Sequence, residues 1–177
     1  GNSSKIAYTH RSEGAWHPLT HDDVRQQVEL FADGLLRYGL APGERVGVVS
    51  ENRTEWVVVD FAMAGIGIVD VPIFPTLTAH QEQFIFTNCE ATAIIVSNAA
   101  QLRKVMEVLD DMPTVRLVIT MNNDVSDNPR VVSMQAVMER SRSESTPLER
   151  RTKFATLASR VRPDDILTVI YTSGTTG

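Results

Sequence analysis

Four apolar runs recur at a nearly constant step, and this rhythm restricts the fold more than anything else in the chain. The runs begin at Val46, Val69, Ala93 and Val115. The step is about 23 residues and no sequence repeat accompanies it, so the runs read as successive βα units and not as a solenoid. Strands are expected over 46–50, 69–73, 93–97 and 115–120. The intervals carry helical signals. Asn52 and Glu55 form a capping pair for a helix over 53–65, and Thr78 with Gln81 opens another that runs to 88. A third, over 99–109, sets Leu102, Val105, Met106 and Leu109 on one face. Near-continuous apolar strands alternating with helices predict a parallel sheet covered on both faces, an α/β fold of three layers.

Ahead of the rhythm, residues 5–18 read as a β-hairpin. Ile6-Ala7-Tyr8 and Ala15-Trp16 flank the turn residues Ser12-Glu13-Gly14. His10 and His17 lie on it, where solvation is the expected state and metal ligation the weaker reading. A helix follows, capped by Thr20, with Asp22 and Asp23 at its positive end. Val24, Val28, Phe31, Leu35 and Tyr38 form its apolar face, Gly39 suits a left-handed stop, and Pro42 blocks continuation. After residue 120 the chain reads as a polar loop over 122–130, a short helix over 134–140, and a mobile Ser/Arg/Glu-rich stretch over 141–146. Thr146-Pro147-Leu148-Glu149 then opens a helix to about residue 159. Residues 166–170, Ile-Leu-Thr-Val-Ile, read as a buried strand.

That strand runs into Tyr171-Thr172-Ser173-Gly174-Thr175-Thr176-Gly177. Ligands of open α/β sheets gather at the carboxyl ends of strands. Two glycines let the backbone approach a ligand and turn its N–H groups toward it. The hydroxyls of Thr172, Ser173, Thr175 and Thr176 add donors and possible metal ligands. Such a loop suits phosphate; a flexible Ser/Thr/Gly tail is the bland alternative. It is not a Walker A loop, which needs a lysine after its second glycine.

The terminal YTSGTTG resembles the signature loop of the acyl-adenylate-forming (AMP-binding) enzymes, in which the loop continues into a Pro-Lys-Gly segment. Two further stretches, Ser50-Glu51-Asn52-Arg53-Thr54-Glu55-Trp56 and Val69-Asp70-Val71-Pro72-Ile73-Phe74-Pro75-Thr76-Leu77-Thr78, resemble the long-chain fatty acyl-CoA synthetase branch. Phe74 stands where that branch usually has Tyr. The resemblance implies that residues 1–177 are the amino-terminal part of the large N-terminal domain of such an enzyme, cut within its phosphate loop. It implies a ligase that joins a fatty acid to coenzyme A through an acyl-adenylate, using ATP and Mg²⁺. The implied nucleotide-binding residues are Thr172, Ser173, Gly174, Thr175, Thr176 and Gly177, with the Thr172 hydroxyl near Mg²⁺. No catalytic residue is expected within these 177 residues, and the fragment is expected to be inactive alone. An adenylation domain for amino or aryl acids, and a non-catalytic nucleotide-binding module, stand as alternatives.

Composition excludes several other classes. An apolar content of 42% with 22% charged residues fits a globular domain, and a net charge of −5 without a basic stripe argues against nucleic acid as a partner. No apolar run is long enough for a transmembrane segment, and the polar start is not a signal peptide. One cysteine, Cys89, cannot form an internal disulfide. The expected location is therefore cytoplasmic, with room for peripheral association with a membrane. Gly65-Ile66-Gly67 follows a helix where a dinucleotide fingerprint needs a strand. Asp60 and Asp70 are expected to cap or pair locally, Trp56 and Phe61 to be core, and the 72–75 segment to be a rigid turn more than a pocket wall.

Overall fold

A computed structural model describes residues 3–12, 14–124 and 126–172. Strands β1 (Ile6–Ser12) and β2 (Ala15–Thr20) pair antiparallel, as the hairpin reading expects. Helix α1 (His21–Arg37) follows directly. Thr20 and Asp23 form a capping box, each side chain taking the other's backbone N–H, a device worth about 1 kcal/mol. Gly39, just past the helix, has φ +85° and ends it.

The remaining strands are β3 (Arg45–Val49), β4 (Val69–Ile73), β5 (Ala93–Val96), β6 (Leu117–Thr120) and β7 (Val131–Ser133). They form one sheet in the order β4-β3-β5-β6-β7, parallel throughout. The helices between them are α2 (Thr54–Gly65), α3 (Ala79–Asn88) and α4 (Ala99–Val108), followed by α5 (Met134–Glu144) and α6 (Pro147–Ala158). Helices α1, α2, α5 and α6 cover one face, α3 and α4 the other. Ile95 of the central strand packs with Phe31, Leu35, Met63 and Val137, whereas its neighbour Ile94 points the other way, to Phe86, Val105, Leu109 and Met112. Burial of both faces is why these strands read as unbroken apolar runs. The three-layer parallel α/β architecture is the one expected, with a fifth strand.

Several local expectations are corrected. Strand β7 was hidden because three residues after a polar loop carry too little periodicity to register. Residues 141–146 are ordered: α5 continues to Glu144, and Ser141 is buried with its hydroxyl donating to Asp33 at 2.8 Å. Asn52 does not cap α2. Arg53 occupies the N-cap position without a side-chain cap bond, and its guanidinium takes Glu55 at 2.8 Å, so the expected partner is already engaged. Phe61 is exposed, because the buried stripe of α2 is Val58, Val59, Ala62 and Met63 and Phe61 falls beside it.

The largest correction concerns residues 166–170. They do lie parallel to β4, but through one bridge, Asp70 to Thr168. Asp70 N–H donates to Leu167 O at 3.0 Å and Val169 N–H to Asp70 O at 2.8 Å. Ile166, Leu167 and Ile170 are exposed. The segment occupies the open edge of β4, where nothing described here covers its outer side.

Candidate functional site

The sheet order reverses between β3 and β5: the chain leaves β3 for one neighbour, then returns past it to the other side. Carboxyl ends of strands at such a reversal usually form a ligand crevice. Here protein groups fill it. Arg53, from the loop after β3, donates to Ser97 O at 2.7 Å and to Asn122 Oδ1 at 3.0 Å while holding Glu55. Asn98, after β5, donates to Glu51 Oε1 at 3.0 Å, and its own Oδ1 caps α4. Hydrogen bonds from the Ser97 side chain, above all, hold the Glu51 carboxyl below the usual range. The 50–56 motif thus ties three strand ends together. Sequence reading singled it out by resemblance alone; nothing in its spacing announced Ser97, Asn98 and Asn122 as partners.

The second motif forms the connection from β4 to α3. Lys104 of α4 donates to Pro75 O at 3.1 Å and Leu77 O at 2.8 Å, and pairs with Glu82 of α3. Gln101 adds a bond to Pro75 O at 3.2 Å. Glu82 is fully buried, and burial raises its carboxyl above the ordinary value while Lys104 opposes the shift. Lys104 and Gln101 thus anchor the backbone carbonyls that follow β4, and Phe74 beside them is exposed to solvent.

The segment that leads to the expected phosphate loop lies beside β4, bonded to Asp70 through Leu167 and Val169. Val169 and Tyr171 pack toward the α3–α4 layer, and the Tyr171 hydroxyl donates to Asn88 Oδ1 at 2.5 Å. Thr172 is exposed. Ser173, Gly174, Thr175, Thr176 and Gly177 lie outside the described residues. Among the described residues no group of three His, Cys, Asp or Glu side chains could hold a metal ion, so no carboxylate cluster stands beside Thr172 for Mg²⁺.

Among the other residues singled out in the sequence, Asp70 departs from expectation. Asp70 neither caps nor pairs. It is 4% exposed and its Oδ1 has no partner; burial first, then the neighbouring Asp60 carboxylate, push its pKa to about 7. Gly65 serves packing: a Cβ there would enter the Phe154 ring of α6. Cys89 is a buried free thiol, raised above its ordinary value by burial.

Comparison with known proteins adds a separate line of support. The family profile described as AMP-binding enzyme matches residues 1–177. A long-chain-fatty-acid–CoA ligase of Xenopus laevis is 27% identical over 97% of this chain and 23% of its own length. Another from Mycobacterium bovis is 29% identical over 97% of this chain and 27% of its own. The chain therefore spans about a quarter of these relatives. Among solved structures, an anthranilate–CoA ligase in complex with anthranoyl-AMP superposes with a TM-score of 0.75 at 20% identity, over 91% of this chain and 28% of that one. At that identity the match concerns the fold.

Proposed function

The chain belongs to the AMP-binding enzyme family, and on that premise we propose that the complete protein carrying it is an ATP-dependent long-chain acyl-CoA synthetase. The reaction runs in two steps. A fatty-acid carboxylate attacks the α-phosphate of ATP, pyrophosphate leaves, and an acyl-adenylate forms. The thiol of coenzyme A then attacks the acyl carbon and AMP departs. Both steps place negative charge on phosphate oxygens, which backbone N–H groups, hydroxyls and Mg²⁺ stabilise when they are fixed beforehand. In this reading Thr172, Ser173, Gly174, Thr175, Thr176 and Gly177 bind the nucleotide phosphates, and the Thr172 hydroxyl lies near Mg²⁺.

The observation that carries the reading is positional. The lead-in segment is bridged to the edge strand β4 of a parallel sheet, and the YTSGTTG stretch follows it directly in sequence. Relatives named as long-chain-fatty-acid–CoA ligases favour fatty acids over amino or aryl acids. A location in the cytoplasm, with peripheral contact to membranes, fits a lipid substrate and a chain in which no described helix is long and apolar enough to cross a membrane.

The test is mass-spectrometric detection of acyl-AMP and acyl-CoA after incubating the complete protein with ATP, Mg²⁺, coenzyme A and a panel of acids. Products from palmitate-like acids, in excess over benzoate, anthranilate and amino acids, are expected. Adenylates formed only from the latter would establish the alternative.

A further inference from the structure

At the amino end of β3 and β4 the surface is hollowed into a groove of about 620 Å³, a size usual for small-molecule sites. Its lining includes Ala64 of α2, Ile68 and Val69 at the start of β4, Leu157 and Val161 at the end of α6, and Leu167. Val161, Ile166 and Leu167 remain exposed on it. A second hollow of about 540 Å³, between α1, α2 and α6, shares Ala64 and Val161 with the first. Exposed Phe61 lines that one. We propose that the groove binds a single-chain amphiphile, an alkyl chain lying in the groove with its anionic head on Arg160. The inference draws on the groove alone and stands apart from the function proposed above.

Charge selects the head group. Three charged residues line the groove: Arg45, Arg160 and Asp165. The Arg45 guanidinium is committed to Cys89 O and to Glu90. Asp165 accepts the Arg162 backbone N–H at 2.8 Å and pairs with the Arg162 side chain at 3.6 Å. Arg160 is exposed, and among the described residues its guanidinium has no hydrogen bond or ion pair. The uncommitted charge beside the apolar lining is therefore positive. A guanidinium fork matches a carboxylate or a sulfate in shape as well as in charge.

The backbone selects the chain. Gly43 N–H donates to Gly67 O at 2.7 Å, Ile68 N–H to Met63 O at 2.9 Å, Val69 N–H to Glu44 O at 2.8 Å and Val161 N–H to Ala158 O at 3.3 Å. These main-chain donors of the lining are already used within the fold. An extended peptide laid here would leave its own polar groups short of partners, at a cost. A methylene chain needs none and gains from every apolar contact.

Photolabelling of the complete protein, without nucleotide or coenzyme A, tests the site by its position. The probe is a palmitate analogue with a diazirine on its chain, used below its micellar concentration, and labelled peptides are mapped by mass spectrometry. Labelling is expected on peptides covering 60–69 and 157–169. Hexadecyl sulfate should compete for them, and hexadecyltrimethylammonium should compete about fivefold less well or worse. Within a series of alkyl sulfates, competition should strengthen about two- to fourfold per added CH₂ until the groove is full. Arg160→Gln removes the charge from an exposed position and should weaken labelling there about fivefold. Ala64→Leu adds bulk where the two hollows meet, with a residue that helices accept, and should weaken it further. Both variants should melt near the wild-type temperature. Absence of label from these peptides, as when another segment of the complete protein fills the groove, would overturn the inference. Labelling unchanged in both variants, or competition indifferent to head charge, would do the same. Acyl-AMP formation by a protein that takes no label here would leave the proposed function standing and this site refuted.

Discussion

Replacing Asp70 with Asn should make the stability of this chain less sensitive to pH, by an amount the structure sets. Asp70 is 4% exposed, has one oxygen without a partner, and faces Asp60. Its carboxyl is raised from 3.8 to about 7 in the fold. The folded state therefore holds this proton more tightly than the unfolded chain. The stabilisation is complete below pH 4 and is lost as pH rises toward 7, after which the loss is constant. At about 1.4 kcal/mol per pH unit, a shift of three units corresponds to roughly 4 kcal/mol. Asparagine has nearly the same shape and no charge. A fixed penalty of about 1–3 kcal/mol for a buried amide without full pairing applies at every pH and cancels from the slope. Asp60 titrates in both proteins and also largely cancels. Urea unfolding at intervals from pH 4.5 to 8 should show the variant gaining about 3–4 kcal/mol on wild type across that range. Parallel profiles, with a relative gain under about 1 kcal/mol, would mean that Asp70 is solvated or paired and that its burial has been misread.

Other expectations follow from specific contacts. Asp33 is 3% exposed, and although burial raises its carboxyl, bonds from Arg37, Lys153, Ser141 and Ser145 outweigh that and hold it at about 2. Asp33→Ala leaves Arg37 and Lys153 facing a vacated site and should lower stability by about 3 kcal/mol at pH 7, measured by urea unfolding. Because the folded value is depressed, the loss should shrink as pH falls from 4 toward 2. At Gly34 a Cβ would lie 2.5 Å from Val137 O and 2.6 Å from Val137 Cγ1. Gly34→Ala should therefore push α5 from α1 and lower the melting temperature, at a cost of about 1–3 kcal/mol, despite alanine's better helix propensity. The 177-residue chain by itself should form no acyl-adenylate in an assay that detects a hundredth of the complete enzyme's rate, since adenylation requires groups from several elements held together.

The sheet was legible because its strands are buried on both faces: Ile94-Ile95-Val96 and Val118-Ile119 cannot serve both layers unless all are apolar. Caps such as Thr20–Asp23, Thr78–Gln81 and Thr146–Glu149 were equally readable, because their partners are three residues apart. What stayed hidden depends on long-range pairing. Arg53 finds Ser97 and Asn122, and Asp33 finds Ser141, Ser145 and Lys153, across 44 to 120 residues. No local pattern encodes such distances. The 166–170 run misled for a related reason: its composition is that of a buried strand, but apolar residues alone do not say what covers them. The phosphate loop itself was read from residue types and resemblance, and its last five residues lie outside the described ones.

Residues 172–177 are proposed to bind the phosphates of ATP. Isotopic ATP–pyrophosphate exchange, driven by a long-chain fatty acid, tests it most directly when the complete protein is compared with its Thr175→Val/Thr176→Val variant. Valine keeps the shape and deletes two hydroxyl donors, each worth about 1–3 kcal/mol where charge develops. Exchange should fall at least tenfold, with fatty-acid binding retained. Exchange at the wild-type rate in the double variant would contradict it.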